Sequence, residues 1–133
     1  MQNTNSWSII LNITEIPVEG YEKVVHATDP ASGLNAFIAV HDTTLGPGLG
    51  GIRMQVYESD EACMTDAIRL AKGMTYKAAI AETGQGGGKG VINHDPTAKT
   101  EDLFRAMGDF IEFLDGLYVA AEDMNMTVAN LET

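Results

Sequence analysis

Apolar positions recur along the chain with two distinct periods. Ala36-Phe37-Ile38-Ala39-Val40 is a nearly continuous apolar run bounded by Gly33 and Asp42, which suits a strand buried on both faces. From Ile52 to Tyr57 the apolar residues Ile52, Met54 and Val56 alternate with Arg53, Gln55 and Tyr57, the period of a half-buried strand. Met64, Ala67, Ile68, Ala71 and Met74 then fall at helical spacing, with Ser59 placed to cap and Asp60 and Glu61 in the first turn. A helix is predicted from about residue 60 through Gly73 and on toward Ala81. Thr100, Glu101 and Asp102 followed by Phe104, Met107, Ile111 and Leu114, with Gly116 as the stop, predict a second helix. Between the helices, Gly84 to Gly88 reads as a break, Val91 and Ile92 as the start of a short strand, and Asp95-Pro96 as its end. Leu117 to Ala121 reads as another buried strand.

Strands alternating with amphipathic helices predict an α/β fold, a mixed and mainly parallel sheet flanked by helices with at least one antiparallel edge. Residues 1–17 show no clear period and are expected to form a flexible amino-terminal segment. Residues 18–133 are expected to form one domain, since 133 residues with 44% hydrophobic content support a single core.

Charge narrows the function. The formal net charge is -11, from 19 acids against 8 bases, so neither a nucleic acid nor an anionic membrane surface is an expected partner. No run approaches the length of a membrane span. Cys63 is the single cysteine, and with His26, His41 and His94 it shows no zinc-like spacing. A reducing, cytoplasmic setting and no structural metal are expected.

Two glycine runs invite a phosphate-binding reading. Gly46-Pro47-Gly48-Leu49-Gly50-Gly51 contains G-x-G-x-x-G, yet strand-like sequence follows it where a dinucleotide site needs a helix, and Pro47 removes an amide. A tight turn between strands is the expectation. Gly86-Gly87-Gly88-Lys89-Gly90 fails the P-loop pattern at Thr83 and at Gly90. A flexible loop with a solvated lysine is the plain reading. However, four of the basic residues (Arg69, Lys72, Lys77 and Lys89) crowd into one stretch, and Lys77 follows Met74-Thr75-Tyr76 and precedes Ala78-Ala79-Ile80-Ala81. A charge in such apolar surroundings is expected to need a partner or a ligand.

The stretches His41 to Gly51, Ala67 to Lys77, Gly86 to Ile92 and Ala121-Glu122-Asp123 resemble the glutamate/leucine/phenylalanine/valine dehydrogenase family, its leucine-dehydrogenase branch most of all. The likeness runs over about residues 18–133, and several motifs in one order make it far more specific than a single glycine run. It implies an amino-terminal domain that supplies the amino-acid pocket and oligomer contacts. A separate carboxy-terminal Rossmann domain, absent from this chain, would hold NAD or NADP. The implied reaction is oxidative deamination of an L-amino acid to a 2-oxo acid and ammonia, which this fragment alone is not expected to perform.

By the same resemblance Lys77 binds the substrate carboxylate, Lys89 activates water and polarises the carbonyl, and Asp123 exchanges protons with the substrate nitrogen. Leu49, Gly50 and Gly51 with Met74 shape the pocket floor, and the natural protein is expected to be a homo-oligomer. Desolvation and a second ammonium such as Lys77 would both favour the neutral lysine that a general base requires. Thr83, Gln85 and Asn125 depart from the family pattern, which leaves leucine, valine and phenylalanine open as substrates. The competing reading is a stand-alone, non-catalytic dimerisation or small-molecule-binding module derived from that family.

Overall fold

The structure is a computed structural model, and it describes residues 11–44, 46–82 and 86–121. Its centre is a six-stranded sheet made from β1 (Asn12–Glu15), β2 (Lys23–Asp29), β3 (Leu34–Asp42), β4 (Gly48–Gln55), β5 (Gly86–Asn93) and β6 (Tyr118–Ala121), in the order β1-β2-β3-β5-β4-β6. Helix α1 (Asp60–Ala81) joins β4 to β5, and α2 (Glu101–Phe113) follows β5 after a short 3-10 turn at Pro96–Ala98.

The mixed α/β sheet with flanking helices matches expectation, but its pairings lean the other way. β1 with β2, β2 with β3 and β3 with β5 are antiparallel, and only β4 with β5 and β4 with β6 are parallel. The reason is the β1–β2–β3 meander, of which only β3 was legible. β2 was missed because His26, Thr28 and Asp29 interrupt its apolar residues. β1 falls in the stretch expected to be a flexible segment, yet Asn12–Glu15 pairs along β2.

Both helix starts follow the chemistry read from the sequence. Ser59 Oγ accepts from the Ala62 amide at 3.0 Å, and Thr100 Oγ1 from that of Leu103 at 3.2 Å, each satisfying a donor that the first turn leaves free. The first crossover, β4–α1–β5, steps one way along the sheet and the second, β5–α2–β6, steps back across β4. Right-handed connections then place the two helices on opposite faces. Two cores result. Against α2 pack Val25, Ala36, Ile38, Val40, Ile52, Met54 and Ile92 with Leu103, Met107 and Phe110. Against α1 pack Val24, Phe37, Ala39 and Val91 with Cys63, Ala67 and Ala71. The strict alternation along β3 explains its unbroken apolar sequence, because both of its faces are covered.

The glycine tract requires the main correction. Gly86 to Gly90 is not a loop but the first part of β5, buried between β3 and β4. Likewise Gly48 to Gly51 is strand, and the turn before β4 is confined to the residues preceding it. Glycine in a strand interior marks a close backbone approach, and the neighbours here identify it. A methyl group on Gly87 would meet Ala71 O at 2.5 Å and also the Thr75 amide and hydroxyl, so α1 lies directly on the strand. On the other face, a methyl on Gly88 would lie 2.6 Å from the Tyr118 ring, and one on Gly50 would run into the Gly88 carbonyl.

A second feature pins the start of α1 to β4. Asp66 accepts from Tyr57 Oη, from Arg69 Nη2 at 2.6 Å and from Arg53 Nη1 at 3.4 Å. Burial alone would raise this carboxyl, but the bonds from Tyr57 and Arg69 and the Arg53 charge outweigh it and hold the group below the usual carboxylate range.

The packing makes opposite predictions for two glycines. Gly87→Ala should destabilise by about 1–3 kcal/mol, because α1 must lift from β5. Gly108→Ala should stabilise by about 0.5–1 kcal/mol, since Gly108 lies within α2 with nothing near its missing methyl group. Urea unfolding of each variant beside the parent chain measures both.

Candidate functional site

With Gly87 and Val91 facing α1, strand alternation puts Lys89 on that same face. Lys89 pairs in register with Ala39 of β3. The pairings Leu49↔Gly87 and Ile52↔Gly90 leave Gly50 and Gly51 opposite Gly88 and Lys89, and Gly51 in turn pairs with Ala121. One level of the sheet therefore runs Ala39, Lys89, Gly51, Ala121. Lysine is rarely buried, yet Lys89 is only 7% exposed. On β5 glycines flank it on both sides, and the Gly50 and Gly51 positions of β4 beside it present backbone instead of side chains.

Of the residues expected to form the site, Lys89, Leu49, Gly50 and Gly51 thus come together on β4 and β5. Met74 lies half-buried on α1, beside the Thr75 turn that rests on Gly87. Lys77 follows one turn later and is exposed. The expectation that Lys77 sits in apolar surroundings does not hold. α1 runs on to Ala81, past its buried residues Cys63, Ala67 and Ala71, and leaves Ile80 85% and Tyr76 56% exposed. The Lys77 ammonium meets solvent on the α1 side of the sheet, the side that also carries Lys89. Asp123, Thr83, Gln85 and Asn125 lie outside the described residues.

The far turns of α1 are tied to the end of β3. His41 Nδ1 and Thr75 Oγ1 are 2.9 Å apart, Tyr21 packs edge-on against His41 with ring centroids 4.9 Å apart, and Tyr21 Oη donates to Ile68 O at 2.8 Å. Burial first, and then the nearby Tyr76 phenol, push Tyr21 above the usual phenol range. These polar links fix the turn that bears Met74. No local pattern points to them, since residues far apart in the chain form each contact.

Tyr118 was also missed, having been read only as part of an apolar strand. It is 2% exposed, and its hydroxyl lies 2.9 Å from both Gly50 O and Gly51 O. The register Gly48↔Tyr118 places it on the α2 face, opposite Lys89. Only a strand-order assignment could have pointed to it.

Other chemistry is unsupported. Cys63 is free and buried, and burial, followed by the Asp60 and Asp66 carboxylates, pushes its thiol up to about 12, which removes it as a thiolate nucleophile near neutral pH. Among the described residues no group of three His, Cys, Asp or Glu side chains is placed to hold a metal, and no helix is long and apolar enough to cross a membrane. Neither glycine run fits a dinucleotide, because Gly48–Gly51 and Gly86–Gly90 are spent in strand pairing and neither opens a helix toward a pyrophosphate. An open hollow of ≈ 510 Å³ near the start of α1 is lined by Arg53, Tyr57, Asp66 and Arg69 among others, and by none of the expected site residues.

Comparison with known proteins identifies the family and supports the fold. Residues 21–133 match the family described as Glu/Leu/Phe/Val dehydrogenase, dimerisation domain. The chain is 54% identical over 113 residues to leucine dehydrogenase from Bacillus subtilis, covering 84% of this chain and 31% of that one. It is 48% identical over 116 residues to phenylalanine dehydrogenase from Caldalkalibacillus thermarum, covering 86% and 31%. The crystal structure of L-tryptophan dehydrogenase from Nostoc punctiforme superimposes with a TM-score of 0.81 at 44% identity, over 85% of this chain and 34% of that one. The chain therefore spans about a third of the length of such relatives. It belongs to the Glu/Leu/Phe/Val dehydrogenase family, and residues 21–133 correspond to that family's dimerisation domain.

Proposed function

We propose that this domain supplies the substrate side of an NAD- or NADP-dependent L-amino-acid dehydrogenase that oxidatively deaminates an aliphatic or aromatic amino acid to a 2-oxo acid and ammonia. The observation that carries the reading is Lys89, a buried lysine set in a strand of glycines with the Gly50-Gly51 backbone beside it. Glycines in that wall bring no side chains of their own, so a substrate can come close to the backbone.

The reaction demands groups of this kind. Water must attack an iminium carbon, so a base has to take its proton, and Lys89 is assigned that part. The exposed ammonium of Lys77 pairs with the substrate carboxylate as a charge-assisted contact. Asp123 exchanges a proton with the substrate nitrogen, and Leu49, Gly50, Gly51 and Met74 form the floor. The cofactor is held by residues beyond this domain, consistent with the poor fit of both glycine runs to a dinucleotide. A cytoplasmic, reducing setting suits the single buried thiol.

Relatives named for leucine, phenylalanine and tryptophan support an apolar side-chain preference without choosing among them. In a full-length chain carrying this domain, Lys89→Ala should lower kcat by about 10²–10⁴-fold with the melting temperature little changed. Lys77→Ala should chiefly raise KM for the amino acid. Steady-state reduction of NAD or NADP tests both, and normal turnover in Lys89→Ala would remove Lys89 from the chemistry.

Homo-oligomerisation through this domain is part of the same proposal. It is supported by the family description as a dimerisation domain and by β1, an exposed strand at the edge of the sheet, which offers unpaired backbone groups to a neighbour. Light scattering on this chain should give a mass above the 14.3 kDa of one copy, and a monomer across a wide concentration range would contradict it.

A further inference from the structure

We infer that Tyr118 is a positioning residue for the substrate floor, holding the Gly50 and Gly51 carbonyls in place from the side of the sheet opposite Lys89. The inference deepens the proposed function and rests on it. A phenol has one hydrogen to donate, and here two carbonyl oxygens share it at 2.9 Å each. The β4 backbone at Gly50 lies so close to β5 that a methyl group there would strike the Gly88 carbonyl, while the Tyr118 ring fills the space under Gly88. Ring and hydroxyl thus act on different strands. The ring spaces β5, which carries Lys89, and the hydroxyl fixes β4, which supplies Gly50 and Gly51.

This arrangement places the control of the floor outside the pocket. Tyr118 is packed against the α2 core, so it touches no substrate. Its effect passes through two glycines of β4 that bring no side chains of their own and are otherwise set by pairing with the neighbouring strands. A glycine pair left without that donor gains freedom at the level of the sheet where Lys89 lies.

The test uses a full-length chain carrying this domain. Tyr118→Phe keeps the ring against Gly88 and removes only the hydroxyl. KM for the amino acid should rise about tenfold, the consequence of one lost hydrogen bond, while KM for the cofactor stays unchanged. A purely structural role would lower the active fraction and leave both KM values alone. Gly51-Ile52 is the only Gly-Ile pair in this domain, so labelling glycine with 13C at the carbonyl and isoleucine with 15N reports on the Gly51 carbonyl with little overlap. Its resonance should move in Tyr118→Phe.

Should that variant fail to fold, tyrosine fluorinated beside the hydroxyl at position 118 keeps the ring and strengthens the donor, and the resonance should then move the opposite way. An unmoved carbonyl resonance overturns the inference, and so does a moved resonance with an unchanged amino-acid KM. A full-length parent chain that oxidises no amino acid would overturn the proposed function, and this inference with it. A working parent with a normal Tyr118→Phe variant overturns the inference alone.

Discussion

The structure depends on one steric constraint, the close seating of α1 and the Tyr118 ring on the two faces of a strand that has almost no side chains. Gly87 admits the α1 backbone at Ala71 and Thr75, and Gly88 admits the aromatic ring. A helix ordinarily packs on a sheet through interleaved side chains, but here part of that layer is missing and backbone approaches backbone. Lys89 is the one residue from Gly86 to Gly90 that brings a side chain, and it is buried on the face that α1 covers. The same absence of side chains that lets the helix sit close therefore leaves Lys89 as the tract's one functional group. Fold and candidate chemistry share a single cause.

Polar links surround this seat, and one of them enters it at Thr75. Near the start of α1, Asp66 gathers Tyr57, Arg53 and Arg69, and toward its end Thr75 meets His41. Because the Asp66 carboxyl is held below its ordinary value, the stability it contributes is present above the carboxylate range and is lost as pH falls through its folded value. Its exposed partner Arg69 limits that contribution through solvent screening. These contacts set where α1 lies along the sheet, while the glycines set how close it comes.

Much of this was legible in the sequence wherever local chemistry decides the outcome. Ser59 and Thr100 cap the helices as their side chains require, and the unbroken run from Ala36 to Val40 is a central strand covered on both faces. The tract from Gly86 to Gly90 misled for a physical reason. Glycine disfavours strands when judged one residue at a time, and only the arrival of α1 and Tyr118 turns its lack of a side chain into a requirement. Lys77 misled in the reverse sense. Its apolar neighbours suggested burial, but the helix outruns its buried stripe and leaves that turn in solvent. Lys89 was identified through family resemblance, and its burial follows from tertiary packing that no local pattern records.

Amide hydrogen exchange across Gly86 to Val91 tests the central claim most directly. A strand paired on both sides and covered by α1 should exchange only through large-scale opening, with protection close to that of Ile38 and Val40 in β3. Exchange of these glycine amides at the rate of an unstructured peptide, while β3 stays protected, would show a mobile loop and contradict the account.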